Sequence, residues 1–417
     1  MISFLRIFWL EFTSLVRSRT LAMLVVAGVL WMLVFPYVVR GDGTEAGARE
    51  LYVHFSLGGV FSLLVVALLA SAAGSVARER TAKRLQLTVV RPVRYMFVVL
   101  GRILANVFVG AIVLAVVCGV LAFRSNLSRP CNHVLSPILP SPREEAKAMY
   151  AAYMNDPSTP DQVRRASKDV VLRLLTQRAV DHYQTIPTNS TVTWRFPVMS
   201  GFNSVSARMR FTNQMELRQD VIGEFRLGDM SGSVSNITQA ILEVPLVGSF
   251  VSTNETVGLA FDNRGKSALM LRPRKDINLL VPGDGFGWNL FRAYLVMLAA
   301  LSLLVSFGMF LSASLGKPVA VFVAFVTLIV GEMSPSVVEQ YPDELETNLA
   351  DRIGLHITRF ATEVTRPISS VSPLESLAKD ECVEWRDTLK LVGINFVVLP
   401  LLFSLLSAFV IPRKQDD

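Results

Sequence analysis

ARERTAKRLQLTVVRPVRYMFVVLGR, Ala77 to Arg102, is a basic connector set against apolar runs, and its reading decides the fold. Arg78, Arg80, Lys83, Arg84, Arg91, Arg94 and Arg102 stand in it against a single acid, Glu79. Lys and Arg gather in short loops that stay in the cytoplasm, so this segment orients the chain in a membrane. It is also ordered internally, with a charged turn, an amphipathic piece, and then Pro92 and Gly101 around the start of the next apolar run.

Working outward, the 417 residues are 51% apolar with a mean hydropathy of +0.44, which excludes an ordinary soluble protein. Charged residues make up 18%, so they must be segregated into parts that touch water. The net charge of +7 does not indicate nucleic acid, because the basic residues cluster at the ends of apolar runs rather than on one soluble face. A helix needs about twenty apolar residues to cross a bilayer core, and its backbone must be satisfied within the chain. Thr20 to Val39, Phe55 to Ala77, Tyr95 to Phe123, Asn289 to Ala313 and Leu389 to Ile411 fit. Pro318 to Gly331 is shorter, and either continues through Met333 and Pro335 or forms part of a re-entrant hairpin. The pattern predicts six spans, three within residues 20–123, two within 288–335 and one at 387–411.

Ahead of the first span, Phe4, Ile7, Phe8, Phe12 and Leu15 recur at helical spacing with Arg6, Glu11, Arg17 and Arg19 between them. Residues 1–19 therefore read as an interfacial helix along the cytoplasmic surface. A cleaved signal peptide fits badly, since Glu11 interrupts its front and no small-x-small site follows before Phe35-Pro36-Tyr37. With six spans, the arginines before the first span, the 77–94 connector, Lys317, and Arg413 with Lys414 in the 412–417 tail share one side. Both termini are then cytoplasmic. The acidic residues after the fifth span, Glu332, Glu339, Asp343, Glu344, Glu346 and Asp351, suit the other side.

Residues 124–287 form a polar insertion that this topology places outside. Its helical part, 142–183, is rich in Ala, Glu, Lys, Arg and Leu, and reads as two helices broken at Asp156-Pro157 and Thr159-Pro160. Over 190–285 the texture changes to short alternating stretches at 191–196, 207–211, 221–227, 237–244, 256–261 and 268–271. That spacing predicts an antiparallel β-sandwich of about seven strands. It identifies no pocket, so recognition of a ligand or protein and a rigid spacer role both stay open. In 336–386, Leu345, Leu349, Ile353, Ile357, Phe360 and Val364 predict an outer amphipathic helix, and Trp385 an interfacial anchor. The fold class expected is a polytopic α-helical membrane protein: six transmembrane helices plus an extracytoplasmic α+β domain with an antiparallel β-sandwich.

Catalytic chemistry is not proposed by any local pattern. Gly265-Lys266-Ser267 is the nearest approach to a phosphate loop, but position 260 is Ala260 and the site lies outside, away from nucleotide. His54, His133, His182 and His356 have no partners at metal-ligand spacing, so neither a metal nor a cofactor is expected. Arg102 and Arg292 lie within reach of span ends and read as snorkelling side chains. Cys118 falls in an apolar span, whereas Cys131 and Cys382 lie just outside spans on the same side. That pair is a disulfide candidate in an oxidising compartment.

These residues together resemble the permeases of the type-2 ATP-binding-cassette (ABC) exporter family. Such permeases have six spans, an interfacial N-terminal helix and a cytoplasmic coupling element between the second and third spans. The resemblance rests on Arg78-Glu79-Arg80, Arg84-Leu85-Gln86-Leu87, Pro92-Val93-Arg94 and Leu100-Gly101-Arg102. The family's Gly-Thr is replaced by Ala82-Lys83, and its residue between Val and Arg is missing. The segment from Pro367 to Trp385 is similar to a piece that some members carry before their last span. The large insertion departs from the compact pattern.

The resemblance implies a permease of a bacterial cytoplasmic membrane working as a homo- or heterodimer, with ATP bound by separate cytoplasmic ATPase subunits. Such a partner would grip Leu85, Leu87 and Val89 as apolar contacts and Arg78, Glu79, Arg80, Arg84, Arg91, Pro92 and Arg94 around them. Gly101 and Arg102 would be structural at the entry to the third span. Tilting of the spans would then export cargo or transmit force. Two other readings are a membrane-anchored binding or sensing protein whose outer domain acts, and attraction of these basic residues to anionic lipid alone.

Overall fold

The computed structural model describes residues 2–38, 45–81, 95–124, 130–155, 168–180, 183–197, 204–212, 219–238, 240–248, 256–333 and 373–413. They divide into two compact units. One holds residues 1–41, 48–129 and 285–417, and the other 42–47 and 130–284.

The first unit is helical. In chain order it contains α1 (Ile2–Val16), α2 (Arg19–Val38), α3 (Glu45–Tyr52), a π-helical turn (Val53–Leu57), α4 (Gly58–Thr81) and α5 (Tyr95–Arg124). Among the described residues, four helical stretches are long and apolar enough to cross a membrane: Glu50–Ser75, Tyr95–Phe123, Phe286–Ser314 and Trp385–Val410. Two shorter apolar stretches, Val25–Phe35 and Pro318–Thr327, occupy the places of the expected first and fifth spans. The chain is thus a multi-pass membrane protein with at least four spanning helices.

The long helices are not equivalent. In the stretch Phe286–Ser314, 83% of the most apolar window is buried within the protein, against 33% for Trp385–Val410, so the former is the hub and the latter peripheral. Close approach to the hub uses small residues, as expected where lipid gives helices no hydrophobic reason to associate. A Cβ on Gly110 would lie 2.8 Å from Leu68 and 3.3 Å from Leu301, and one on Gly308 would lie 2.9 Å from Leu69. Two buried hydroxyls are satisfied within their own helices: Ser306 donates to the Ser302 carbonyl at 2.6 Å and Ser404 to that of Pro400 at 2.7 Å.

The second unit is an α+β domain. Its helical part is α6 (Pro142–Asn155) and α7 (Lys168–Val180), packed through Ala146, Val171 and Leu175. The start of α6 is a capping box with Pro at the first helical position. The Ser141 amide donates to Glu144 Oε2 at 3.0 Å, and the Glu144 amide donates to Ser141 Oγ at 3.2 Å. Hydrogen bonding from Ser141, its amide first and its side chain second, holds the Glu144 carboxyl below its ordinary pKa.

Among the described residues, ten strands follow the order β1 (Pro130–Leu135), β2 (Gln184–Ile186), β3 (Ser190–Pro197), β4 (Val205–Arg210), β5 (Asp220–Leu227), β6 (Met230–Ile237), β7 (Ile241–Leu246), β8 (Thr256–Asn263), β9 (Leu269–Leu271) and β10 (Ile277–Gly285). They form sheets of order β1-β10-β4-β7 and β3-β8-β5-β6, with β2-β9 as a short pair. Phe196, Phe225 and Phe261 from one four-stranded sheet share a core with Ala207, Met209, Leu242 and Ile277 from the other. Alternation is clean, as in β5, where Val221, Gly223, Phe225 and Leu227 turn inward.

The expected strand at 237–244 is instead two strands, β6 ending at Ile237 and β7 beginning at Ile241. The break centres on Thr238, whose amide donates to the Gln219 carbonyl and whose Oγ1 accepts from the Gln219 amide. The Ser- and Gly-rich sequence of β6 conceals its pairing with β5 over Asp220 to Leu227. Gly232 is needed there because a Cβ would sit 2.8 Å from the Pro245 carbonyl oxygen.

Buried Asn263 ties the sandwich turns together. Its Nδ2 donates to the carbonyls of Ile186, Pro187 and Ser267 at 3.1–3.3 Å, while its Oδ1 accepts from the Gly265 amide at 3.0 Å. Asn263→Leu strands these groups in the interior and should cost roughly 2–4 kcal/mol; pulse proteolysis of the full chain in urea will show the cleavage midpoint of this unit falling. For Glu144 the folded pKa is depressed, so its cap contribution is present above the ordinary carboxylate pKa and is lost as pH falls through the folded value. Carboxyl NMR should place Glu144 below the other exposed glutamates, and Ser141→Ala should return it upward.

Candidate functional site

Two constructions stand at the ends of the helical unit. The first joins α1 to α5 through a ladder of aromatic rings. Phe4 meets Phe97 edge-on at 6.5 Å between ring centroids, and Phe8 and Phe12 meet Phe108 at 5.9 and 5.6 Å. Spacing of four residues puts Phe4, Phe8 and Phe12 on one helix face. Contacts advance together along both helices, so α1 runs alongside the beginning of α5. It is therefore packed onto a long helix of the bundle, where the sequence pattern alone suggests a helix lying on the membrane surface.

Gly101 lies under this contact. A Cβ there would come 3.4 Å from Ile7 Cγ2 and 3.6 Å from two ring atoms of Phe4. Anything larger than a methyl would therefore push α1 outward. Arg102 is buried, and its carbonyl accepts from Asn106 Nδ2 at 2.9 Å within the helix. It does not snorkel into water.

Of the connector residues, Arg78, Glu79 and Arg80 form the last turn of α4, which runs through Thr81. Arg84, Leu85, Leu87, Val89, Arg91, Pro92 and Arg94 lie outside the described residues, as does the expected outer amphipathic helix between Leu345 and Val364.

The second construction is at the opposite end, where α8 (Phe286–Ser314) follows the insertion and α9 (Lys317–Met333) comes after it. The short helix α10 (Pro373–Ala378) leads into the segment before α11 (Trp385–Val392); a π-helical stretch (Gly393–Val398) and α12 (Leu399–Arg413) then complete the last span. Asn289 is fully buried; its Nδ2 donates to the Glu381 carbonyl at 2.7 Å and its Oδ1 accepts from the Val383 amide at 2.8 Å. One turn along, Arg292 donates to the Val383 carbonyl at 3.0 Å, with its guanidinium 5.0 Å from the Trp385 ring centroid. Arg292 is 4% exposed, so the expected snorkelling arginine is turned inward as a clamp. Its planar fork and weak hydration suit it to this place better than a lysine.

Cys382 lies in the clamped segment. Cys131 and Cys382 are disulfide-bonded and Cys118 is the free thiol. Sequence reasoning missed Asn289 as a functional position, although an Asn-x-x-Arg pair on one face of an apolar helix is the signal that finds it. Among the described residues no three His, Cys, Asp or Glu converge as a metal site.

Alkylation of the denatured, unreduced chain should modify Cys118 alone, and peptide mapping should recover Cys131 joined to Cys382. Arg292→Met should leave the helix intact yet loosen residues 381–385, raising proteolysis at Arg386 several-fold, because a buried charge-assisted hydrogen bond is lost.

Searches against protein-family models, curated proteins and solved structures found no match to this chain.

Proposed function

We propose that this chain is the membrane-spanning permease subunit of an ABC transporter, either an exporter or a force-transmitting complex. A separate cytoplasmic ATPase subunit binds and hydrolyses ATP, and a second permease chain completes the assembly. The observation that carries this reading is the connector and its flanks. Helix α4 runs on past its apolar part into Arg78-Glu79-Arg80, and α5 resumes at Tyr95 with Gly101 seated beneath α1. Any push on residues 82–94 therefore reaches two long helices and the N-terminal helix together. A lipid tether needs neither the acid at Glu79 nor the spacing of Pro92 and Gly101 in the sequence.

Membrane sidedness has two independent supports. Arginines and lysines concentrate at the connector, and the disulfide-bonded cysteines lie beyond the other ends of the spans. Disulfides persist in oxidising compartments, which is consistent with an extracytoplasmic insertion and a cytoplasmic connector.

A second reading, a membrane-anchored binding or sensing protein, draws on the outward face of the sheet β3-β8-β5-β6. There Glu224 pairs with Arg226 at 2.9 Å and with Arg264, while Asp262 pairs with Arg264 at 3.0 Å. Thr191, Thr193 and Ser233 flank this row on neighbouring strands. The Arg226 and Arg264 guanidiniums help to hold the Glu224 carboxyl below its ordinary pKa, the Arg226 hydrogen bond being the largest cause.

The test separating the readings is purification of the chain from its native membrane. An ATPase subunit should accompany the wild type, and Arg80→Glu with Arg84→Glu should reduce that association by about tenfold or more, as for loss of interfacial charge pairs. Unchanged association and ATPase activity would remove the coupling assignment.

A further inference from the structure

The last span changes step in its middle. Thr388, Leu391 and Asn395 turn inward, and so do Pro400, Ser404 and Ser407. Within each set the step is three or four residues, as an α-helix requires, but from Asn395 to Pro400 it is five. The Leu399 amide accordingly donates to the Ile394 carbonyl, five residues back, in the π-helical stretch that joins α11 to α12. Gly393 opens this stretch, and a Cβ there would meet nothing within 4 Å, so its contribution is weak helix propensity rather than packing. Asn395 is 1% exposed, and its Oδ1 has no hydrogen-bond partner among the described residues. The observed register therefore leaves a buried acceptor unmet, in the kind of helical irregularity that gathers at functional sites.

The two halves of the span differ in what fixes them. Asn289 and Arg292 grip the segment just ahead of α11, and Arg386, Asp387 and Lys390 are exposed on it, so turning α11 would carry charge into the bundle. Helix α12 carries no such label: from Leu399 to Val410 every residue except Pro400, Ser404 and Ser407 is apolar. The two serines are satisfied in any orientation, because their hydroxyls donate to the Pro400 and Phe403 carbonyls of the same helix at 2.7 Å.

We propose that the π-helical stretch is a register switch. Closing it to α-helix turns α12 by about 100°, one residue's share of a helical turn, while α11 stays clamped. Leu399, Phe403 and Leu406 then face inward in place of Pro400, Ser404 and Ser407, and Leu402 takes the place of Phe403 between Phe307 and Phe310. Among lipid, burying leucine instead of serine brings no hydrophobic gain, so the two registers differ mainly in packing. The Pro400 ring favours the observed one, because an α-helical turn would press it against the carbonyl of Phe396. The assignment stands independently of the transporter reading.

Oxidative crosslinking of the full chain in nanodiscs tests it, in a Cys118→Ala background that keeps the native disulfide. Phe307→Cys is combined in turn with Phe403→Cys, Leu402→Cys or Leu405→Cys, and crosslinks are read by peptide mapping. The Phe403 pair reports the observed register and should form fastest. The Leu402 pair reports the turned register and should form more slowly, yet well above the Leu405 pair, which faces lipid in both. Pro400→Ala should raise the rate of the Leu402 pair relative to the Phe403 pair roughly fivefold or more, since the ring's clash with the preceding turn is removed. A Leu402 pair no faster than the Leu405 pair would leave a single register and overturn the proposal. A Leu402-to-Phe403 ratio unmoved by Pro400→Ala would also overturn it, because the contact would then arise from ordinary helix motion. If Pro400→Ala does not fold, the comparison of the Leu402 and Leu405 pairs decides alone.

Discussion

A helix inside lipid can satisfy its backbone only within itself, and it can associate with neighbours only through packing and a few satisfied polar groups. Helix α8 shows what that constraint demands of a hub. Its apolar stretch is buried along most of its length, so it cannot be amphipathic, and its partners must come close to hold it. Gly110 and Gly308 remove the side chains that would keep Leu68, Leu301 and Leu69 away. Ser306 brings a hydroxyl into the interior at little cost because the Ser302 backbone carbonyl accepts from it. The rest of the helical unit is arranged around that close contact.

Two further fastenings fall near the helix ends. At one end Gly101 and the Phe4–Phe97 and Phe12–Phe108 contacts fasten α1 to the start of α5, where the basic connector arrives. At the other, Asn289 and Arg292 seize backbone atoms of Glu381 and Val383 just ahead of the last span. A buried asparagine that spends both ends of its amide on one extended segment fixes that segment's register. A buried arginine over an indole fixes its angle. Both devices fasten that segment to the apolar bundle just ahead of the last span.

Legibility differed by element. Helices of twenty or more apolar residues were plain from composition, and so was the start of the insertion's helical part at Pro142. Alternating strands such as β3 and β5 were also readable from their period. Met230 to Ile237 was not, since its serines, glycine and asparagine conceal a strand that exists through its partner β5. Arg292 misled for a related reason. A snorkelling arginine and an inward one have the same sequence context, and the choice depends on whether a bare carbonyl lies within reach.

The sequence by itself determined that the chain enters a membrane repeatedly, that its charges are segregated, and that a strand-rich domain interrupts the spans. Those properties follow from hydropathy and period, which each segment carries alone. Tertiary structure decided that α8 is the hub, that α1 leans on α5 through Phe4, Phe8 and Phe12, and that Asn289 and Arg292 clasp a segment about ninety residues away in the chain. Each of those outcomes depends on which side chain finds a partner across space, and local sequence carries no record of distance between segments.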